Sequence, residues 1–138
     1  MAEMTAGEVN AYLDSGPRWG RLATVGRDGY PHVVPLGYFR HDHAFYVNMR
    51  GQRLVNARRN PRVCLTVDEG EATGELKGVV IEGDAEVIED QAQVLELQRA
   101  NARRRGTPED KLPTENRGGR PLLRITPRKV ASWDNSKR

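Results

Sequence analysis

The residues best suited to chemistry lie in one basic stretch, Arg50-Gly-Gln-Arg-Leu-Val-Asn-Ala-Arg-Arg-Asn-Pro61. Gly51 frees the backbone where a helix would begin, and the first turn of a helix leaves N–H groups unpaired at the positive end of the dipole. Arg50 and Arg53 add fixed charge at that end. The stretch therefore predicts a phosphate site. A solvated basic helix that covers a sheet and binds nothing is the alternative, and these residues alone leave both interpretations open.

The other reactive side chains lack the partners that a catalytic or metal site needs. The segment His41-Asp42-His43 falls on a hairpin turn without a further ligand cluster, which favours an exposed turn over a metal pair. Cys64 lies in an apolar strand pattern, where a cysteine without an activating base is a small hydrophobe. No nucleophile elbow, P-loop or dinucleotide fingerprint is present. We predict no catalytic side chain and no bound metal, so any chemistry would come from a cofactor.

Two further features have competing interpretations. His32 follows Pro31 on a strand and could donate a hydrogen bond to a ligand, but a solvent-facing residue at a sheet edge is the alternative. The run Arg103-Arg104-Arg105 could bind a polyanion, yet cations are also stabilising at a helix C-terminus, which favours a solvated helix end. Aromatic residues make up 6% of the chain and do not alternate with basic ones. We therefore expect no nucleic acid as a partner.

Length and charge restrict the class of protein. The chain has 138 residues, which predicts a single domain over 1–138. A net charge of +3 and a pI near 9.3 favour an anionic ligand. One cysteine excludes an internal disulfide and indicates a reducing compartment. No apolar run approaches the roughly 20 residues of a membrane span, and the N-terminus lacks a signal-peptide pattern, so we expect a cytoplasmic protein.

The elements that must position the basic stretch are mainly strands. A Thr5/Glu8 capping box predicts a helix over 5–15, and further helices are predicted over 51–60 and 90–104. Strands are predicted over 19–25, 31–40, 44–49, 62–68, 78–89 and 122–133, the last interrupted at Pro127. Asp28-Gly29 is the signal of a two-residue hairpin turn. Residues 106–120 predict a mobile loop or lid, or a disordered connection. The pattern indicates a mainly β protein, a small barrel of about six antiparallel strands with short flanking helices.

Several segments together resemble the pyridoxamine-phosphate-oxidase-like split-barrel family. They are Gly20-Arg-Leu-Ala-Thr-Val25, Asp28-Gly-Tyr-Pro-His-Val-Val-Pro35, Asn56-Ala-Arg-Arg-Asn-Pro-Arg-Val63 and Lys77-Gly-Val-Val-Ile-Glu-Gly-Asp-Ala-Glu-Val87. The ending Thr126-Pro-Arg-Lys-Val-Ala-Ser-Trp-Asp134 resembles the actinobacterial flavin/deazaflavin oxidoreductase branch of that family. The resemblance spans nearly all of the chain except residues 106–120.

The resemblance implies a homodimer of split β-barrels with two cofactor sites at the dimer interface. The cofactor phosphate would be held by the turn and helix start that carry Asn48, Met49, Arg50, Gly51, Gln52, Arg53 and Asn56. Arg53 falls where the family usually has a phosphate-binding Lys or Arg. Asn48 and Gly51 fall where Ser or Thr hydroxyls are common. Backbone N–H groups and Arg50 could compensate for this departure.

The same resemblance assigns residues near the cofactor ring. Pro35, with Val33 and His32, lies on the strand that would flank the ring system. Lys77 and Trp133 match positions that can approach the cofactor. Trp133 could close the site from the partner chain, or it could anchor the last strand.

The resemblance favours a deazaflavin coenzyme (F-420) over flavin mononucleotide (FMN), because Ser132-Trp133-Asp134 resembles members that use deazaflavin. Haem is bound by some members of the fold. The implied activity is an oxidoreductase that transfers hydride from the reduced coenzyme to an unsaturated small molecule. The alternatives are an FMN-binding oxidoreductase and a non-catalytic cofactor-binding protein. Pyridoxamine-phosphate oxidase activity is not expected, because those enzymes carry a C-terminal substrate-binding region for which no room follows Trp133.

Overall fold

The structure is a computed structural model that describes residues 2–137. Three helices and seven strands follow one another along the chain, joined by short turns and two 3₁₀ turns at Thr73–Glu75 and Glu109–Lys111. The helices are α1 Ala6–Ser15, α2 Gly51–Arg59 and α3 Gln91–Arg104. The strands are β1 Trp19–Val25, β2 Pro31–Gly37, β3 Phe39–His41, β4 Ala44–Asn48, β5 Arg62–Glu69, β6 Lys77–Ile88 and β7 Leu122–Asp134.

All seven strands belong to one antiparallel sheet in the order β2-β1-β5-β6-β7-β4-β3. The sheet curls until β2 approaches β4, so that its inner face encloses a core. The longest pairing joins β6 to β7, from Lys77 opposite Asp134 to Ile88 opposite Leu122. The predicted mainly β fold of split-barrel type is confirmed, with seven strands where about six were expected.

The core is built by the alternation of side chains along the central strands. Every second residue of β5 is buried, from Val63 through Leu65 to Val67, and the inner positions of β1, β6 and β7 complete the same cluster. Burying one such aliphatic side chain stabilises the fold by about 1.5–3 kcal/mol. A smaller cluster lies under α3, where Val94 and Leu97 pack against Leu122.

The helix starts that the sequence predicts are confirmed. Thr5 accepts a hydrogen bond from the backbone N–H of Glu8, whose carboxylate accepts one from the N–H of Thr5. The carboxylate of Asp90 accepts one from the N–H of Ala92 and so caps α3. Each cap of this kind contributes about 1 kcal/mol.

The strand predicted over 31–40 is divided in two, which is a correction. Tyr38 interrupts it because its hydroxyl donates to the carbonyl oxygens of Leu13, at 3.2 Å, and Pro17, at 2.9 Å. Its N–H donates to the carbonyl of Arg18 at 3.1 Å. These bonds hold the chain against the end of α1, and β3 begins only at Phe39.

Of the two hairpin turns that the sequence predicts, the one at His41-Asp42-His43 is confirmed as a two-residue turn, and the one at Asp28-Gly29 is not of that kind. Asp42 and His43 both have positive φ, of 49° and 66°, as the tightest hairpin turns require. At Asp28-Gly29 only Gly29 has positive φ, of 85°. The loop there is wider and is closed by a hydrogen bond from the N–H of Gly26 to the carbonyl of Tyr30, at 2.8 Å.

The predicted interruption at Pro127 is wrong, because β7 runs through it as a bulge. Glu82 pairs with Lys129 and Gly83 pairs with Pro127, so Arg128 is the extra residue. A bulge accommodates proline, which has no N–H for the ladder. Glycine is required opposite it, since a Cβ at Gly83 would lie 2.7 Å from Cγ2 of Ile125.

Residues 105–121, called here the α3–β7 connection, are ordered by contacts and do not form the disordered connection that was one expectation. Leu112 is 4% exposed. Arg99 donates to the carbonyl of Pro113 at 2.8 Å, and Gln98 donates to the side chain of Asn116 at 2.9 Å. Arg103 forms an ion pair with Glu109 at 2.7 Å. The connection is therefore fastened to α3 along its length.

Candidate functional site

Helix α2 begins where the sequence predicts a phosphate site. Gly51 has φ of +65°, in the left-handed region that glycine adopts at little cost. Arg50, at the N-cap position, makes no side-chain hydrogen bond to the helix, and the first turn contains no acidic residue. The amide groups of this turn thus have no capping side chain, and an anion there would accept their hydrogen bonds and interact favourably with the dipole.

Three arginines gather at this helix end, Arg50, Arg53 and Arg120, and they are called here the arginine cluster. Nη2 of Arg53 donates to the carbonyl oxygen of Asn48 at 3.1 Å, while its buried Nε has no hydrogen-bond partner. Burial, followed by the charges of Arg50 and Arg120, lowers the pKa of Arg53. Within residues 2–137 no carboxylate forms an ion pair with any of the three.

The donor set fits a phosphate group. A phosphate offers several acceptor oxygens and negative charge, and guanidinium groups and backbone amides are its usual partners. Leaving the buried Nε of Arg53 without a partner costs about 1–3 kcal/mol, which a bound oxyanion would offset. Because no carboxylate of the described residues is paired with these arginines, none competes with a phosphate for their donors.

The third member of the arginine cluster, Arg120, does not stand out in the sequence. It stands at the end of the α3–β7 connection, and the N–H of Met49 donates to the carbonyl of the next residue, Pro121, at 3.1 Å. This bond joins the connection to the segment just before α2. Nothing local in the sequence links Arg120 to Arg50, because only the pairing of β4 with β7 brings the two residues together.

Asn56 is placed on the buried side of α2. It is fully buried, its Nδ2 donates to Oγ1 of Thr24 at 3.1 Å, and its Oδ1 accepts from Gln52 at 2.8 Å and from Arg59 at 3.2 Å. These bonds fix α2 against β1. Asn56 therefore positions the start of the helix and does not itself face a ligand. Gln52, by contrast, is exposed and lies next to Arg53 in the sequence.

Asn48 and Met49 are neighbours in the chain but differ in the burial of their side chains. Asn48 is exposed and its carbonyl accepts the bond from Arg53, whereas the side chain of Met49 is fully buried in the core. Met49 therefore presents only backbone to the site.

The structure divides the β2 candidates between two faces. Val33 and Pro35 pair with Ala23 and Arg21, and they are exposed on the outer face of the sheet. His32 points to the inner face, because side chains alternate along a strand. Its Nδ1 is buried and has no hydrogen-bond partner. Val33 and Pro35 thus form a flat apolar surface, and His32 lies behind it.

Lys77 and Trp133 do not join the arginine cluster within one chain. The cluster lies beside Asn48 and hence at the Leu122 end of β7, whereas Trp133 pairs with Gly78 at the opposite end. At about 3.3 Å per residue, Leu122 and Trp133 are roughly 36 Å apart along the strand. Lys77 instead contacts Glu69, at 3.8 Å, and lies 5.5 Å from the centroid of the Tyr12 ring.

Trp133 packs tightly on the strand beside it. A Cβ at Gly78 would lie 2.6 Å from Cζ2 of Trp133, so the indole occupies the space over this glycine. In a single chain the contact is that of an anchor for β7.

The remaining candidate groups have ordinary surroundings. Arg103 pairs with Glu109 and Arg104 with Asp14, at 2.7 Å in both cases. Burial raises the pKa of the Cys64 thiol and so favours the unreactive neutral form.

In the part of the chain that the structure describes, no group of three His, Cys, Asp or Glu side chains could hold a metal ion. No helix among residues 2–137 has the length and apolar character needed to span a lipid bilayer.

Comparison with known proteins agrees with this architecture. Residues 6–134 match the sequence model of the family described as pyridoxamine 5'-phosphate oxidase. The chain therefore belongs to the pyridoxamine 5'-phosphate oxidase family, as its resemblance to split-barrel proteins predicted.

Three relatives illustrate the similarity. The chain is 27% identical over 128 residues to a 5a,11a-dehydrotetracycline/5a,11a-dehydrooxytetracycline reductase of Streptomyces rimosus, covering 83% of this chain and 73% of that protein. A conserved hypothetical protein of Mycobacterium tuberculosis superimposes with a TM-score of 0.79 at 29% identity, over 96% of this chain and 86% of the other. An FAD-binding protein of Mesorhizobium loti gives 0.73 at 29%, over 95% of both chains.

Proposed function

We propose that this protein is an oxidoreductase that binds a reduced deazaflavin coenzyme (F-420) and transfers hydride to an unsaturated small molecule. The observation that carries the proposal is the arginine cluster at the start of α2, with the unpartnered Nε of Arg53. An uncompensated cluster of this kind is stabilised by an anionic group, and the cofactor phosphate supplies one.

Oxidoreductase activity is supported by family membership and by the relative from Streptomyces rimosus, which is a reductase. A flavin-type cofactor is supported by the relative from Mesorhizobium loti, which is FAD-binding. The choice of deazaflavin within that class rests on the Ser132-Trp133-Asp134 ending and on the positive charge available for a strongly anionic coenzyme.

The chain's own residues would bind and orient the coenzyme. Arg50, Arg53 and Arg120 would hold the phosphate, and the exposed surface of Val33 and Pro35 would lie against the ring system. When bound, the reduced coenzyme supplies the hydride, so no side chain needs to act as a nucleophile. Placing the ring on a rigid strand would fix its orientation toward the substrate.

We also propose that the protein acts as a homodimer. Lys77 and Trp133 lie at the far end of β6 and β7 from the arginine cluster, so they could contact the coenzyme only from a second subunit. Val33 is 57% exposed and Val130 47% exposed, and a partner would bury such apolar surface. Sedimentation velocity of the protein at low micromolar concentration tests this point, and a monomer would contradict it.

Binding of the deazaflavin coenzyme and of FMN, measured by fluorescence titration, tests the function. We expect the deazaflavin to bind more tightly. Arg53→Gln should weaken its binding about 30-fold, since a charge-assisted contact to a phosphate is worth about 2 kcal/mol.

Arg58→Gln is the matched control. Arg58 lies on the same helix, loses the same charge on substitution, and pairs with Glu89 away from the cluster. It should change the dissociation constant less than about twofold. Tighter binding of FMN would favour the alternative of an FMN-dependent oxidoreductase, and binding without turnover of enones or quinones would favour a cofactor-binding protein. Binding of neither coenzyme would reject the proposal.

A further inference from the structure

A second positively charged site lies next to the arginine cluster. A cleft of about 680 Å³, called here the arginine–aromatic cleft, opens between the C-terminal ends of α1 and α3 and the strands β3 and β4. The lining residues that matter for recognition are Arg18, Trp19, Phe39, Arg40, Arg104 and Arg105. A volume of this size suits a molecule of several rings.

The charge in the cleft is only partly compensated. Its lining contains four arginines and one carboxylate, that of Asp14. Asp14 is shared by Arg40, at 3.1 Å, and Arg104, at 2.7 Å. Nε of Arg40 is buried without a hydrogen-bond partner. Arg40 also donates to the side chain of Asn10 at 3.2 Å, and Arg104 to the carbonyl of Arg40 at 2.6 Å, so the guanidinium donors in excess are mainly those of Arg18 and Arg105.

Two of the lining arginines have no acceptor at all within residues 2–137. Neither Arg18 nor Arg105 forms an ion pair with a carboxylate in that part of the chain, and both are exposed. Arg105 directly follows the end of α3, which the dipole makes favourable for a cation even without a bound anion. A ligand with a negative oxygen would find both groups free.

Flat aromatic surfaces complement the charge. The rings of Phe39 and Tyr46 stack at 5.2 Å between centroids with an interplanar angle of 16°. Trp19, also in the lining, is 69% exposed, which is unusual for so large an apolar side chain. Tyr46 itself is buried, but a planar ring in the cleft could pack against Trp19 and the half-buried Phe39 while an acidic substituent reached an arginine.

The cleft is continuous with the proposed coenzyme site. Asn48 lines it, and the carbonyl of the same residue accepts the hydrogen bond from Arg53. We propose that the arginine–aromatic cleft binds the substrate, and that the substrate is a planar, multi-ring molecule with an acidic oxygen such as a carboxylate or enolate. The assignment as substrate rests on the proposed oxidoreductase function, whereas the ligand class rests on the cleft alone.

A pair of fluorescent probes tests the ligand class without any coenzyme. The first is 1-anilinonaphthalene-8-sulfonate, which combines fused rings with one negative group, and the second is N-phenyl-1-naphthylamine, its neutral counterpart. Both are titrated into the wild-type protein. We expect the sulfonate to bind about tenfold more tightly than the amine, because a charge-assisted contact is added to the same ring packing.

Variants assign the binding to the cleft. Arg105→Gln should weaken binding of the sulfonate about fivefold and leave the neutral amine unchanged. Trp19→Ala should weaken both probes. Arg117→Gln is the matched control, because Arg117 is 92% exposed, lies outside the cleft lining and loses the same charge. Arg105 has no partner to lose, so its substitution should not disturb folding, which circular dichroism checks.

Three results would overturn the proposal. Equal affinity for the two probes would show that charge is not recognised, and equal effects of Arg105→Gln and Arg117→Gln would place the probe elsewhere. Displacement of the sulfonate by saturating coenzyme would assign the cleft to the acidic part of the coenzyme.

Two further results separate this proposal from the proposed function. Weaker coenzyme binding in Arg53→Gln with unchanged sulfonate binding would support both assignments independently. Failure of the wild-type protein to bind the coenzyme would reject only the proposed function.

Discussion

The two ends of α2 have similar composition and opposite surroundings. At the N-terminal end Arg50 and Arg53 have no carboxylate partner within the described residues, and Nε of Arg53 is buried and unpartnered. At the C-terminal end Arg58 pairs with Glu89, and Arg59 donates to the carbonyl of Val25 and the side chain of Asn56. Only at the N-terminal end do the arginines repel one another, because no carboxylate of the described residues neutralises their charge.

This difference distinguishes a binding site from a basic surface. A run of arginines is uninformative by itself, since cations near a helix C-terminus are stabilising without any ligand. The informative feature is a set of donors that the fold gathers and does not satisfy. By that criterion the start of α2 is a candidate site, and its end is part of the scaffold.

Removing the charges of the two ends in turn should give the largest contrast. We expect Arg50→Gln/Arg53→Gln to weaken binding of the coenzyme about 1,000-fold, because two charge-assisted contacts worth about 2 kcal/mol each are lost. Arg58→Gln/Arg62→Gln removes equal charge from the C-terminal end of α2 and from the start of β5, and should change affinity less than about threefold. Equilibrium titration measures both, and equal losses would show that net charge alone attracts the coenzyme.

The buried bonds of Asn56 predict an effect on stability that neither set of arginine substitutions has. Asn56→Ala should lower the free energy of unfolding by about 2 kcal/mol, since the hydroxyl of Thr24 loses its buried partner and a small cavity forms. Gln52→Ala, which removes an exposed partner of the same network, should cost under about 1 kcal/mol. Urea unfolding monitored by circular dichroism tests this order, and equal costs would deny Asn56 its role in fixing the helix.

Arg120 should show opposite effects on binding and stability. Arg120→Gln should weaken coenzyme binding about fivefold, yet leave the ligand-free protein as stable or slightly more stable, because like charge next to Arg53 is removed. Thermal unfolding with and without saturating coenzyme measures both quantities. A destabilised ligand-free protein would mean that Arg120 is structural.

The smallest effect is expected for Glu8, an ion-paired carboxylate whose contribution to stability depends on pH. The ammonium of Lys137 and the cap at Thr5 lower the pKa of Glu8 to about 2. A carboxyl with a lowered pKa stabilises the fold above its ordinary value of 4.5, and the contribution is lost as the pH falls from there toward 2. Glu8→Gln should therefore lower the melting temperature slightly at pH 7, and the difference from the wild type should shrink as the pH falls from 4.5 toward 2.

The sequence predicted the fold better than the site. Strand β1, the caps of α1 and α3, and the start of α2 follow from local signals, namely alternation, capping residues and glycine. The division at Tyr38 could not be foreseen, because it depends on carbonyl groups of another segment. The bulge at Pro127 depends likewise on the partner strand.

The site is gathered by tertiary structure, which explains what the sequence left out. The run around Arg53 is local, so the sequence alone was enough to name it as a candidate. Arg120 and the arginine–aromatic cleft combine residues that are far apart in the chain, and only the strand order brings them together. Lys77 and Trp133 were grouped with the site from resemblance, and the strand register separates them from it within one chain.

The α3–β7 connection leaves the arginine–aromatic cleft at Arg105 and reaches the arginine cluster at Arg120. It is fastened to α3 and does not form a strand of the barrel. Exchange of this one segment by recombination between related genes would alter substrate preference and coenzyme affinity in a single event. The barrel, which carries most of the stability, would be inherited unchanged, so that new specificities could evolve without passing through poorly folded ancestors.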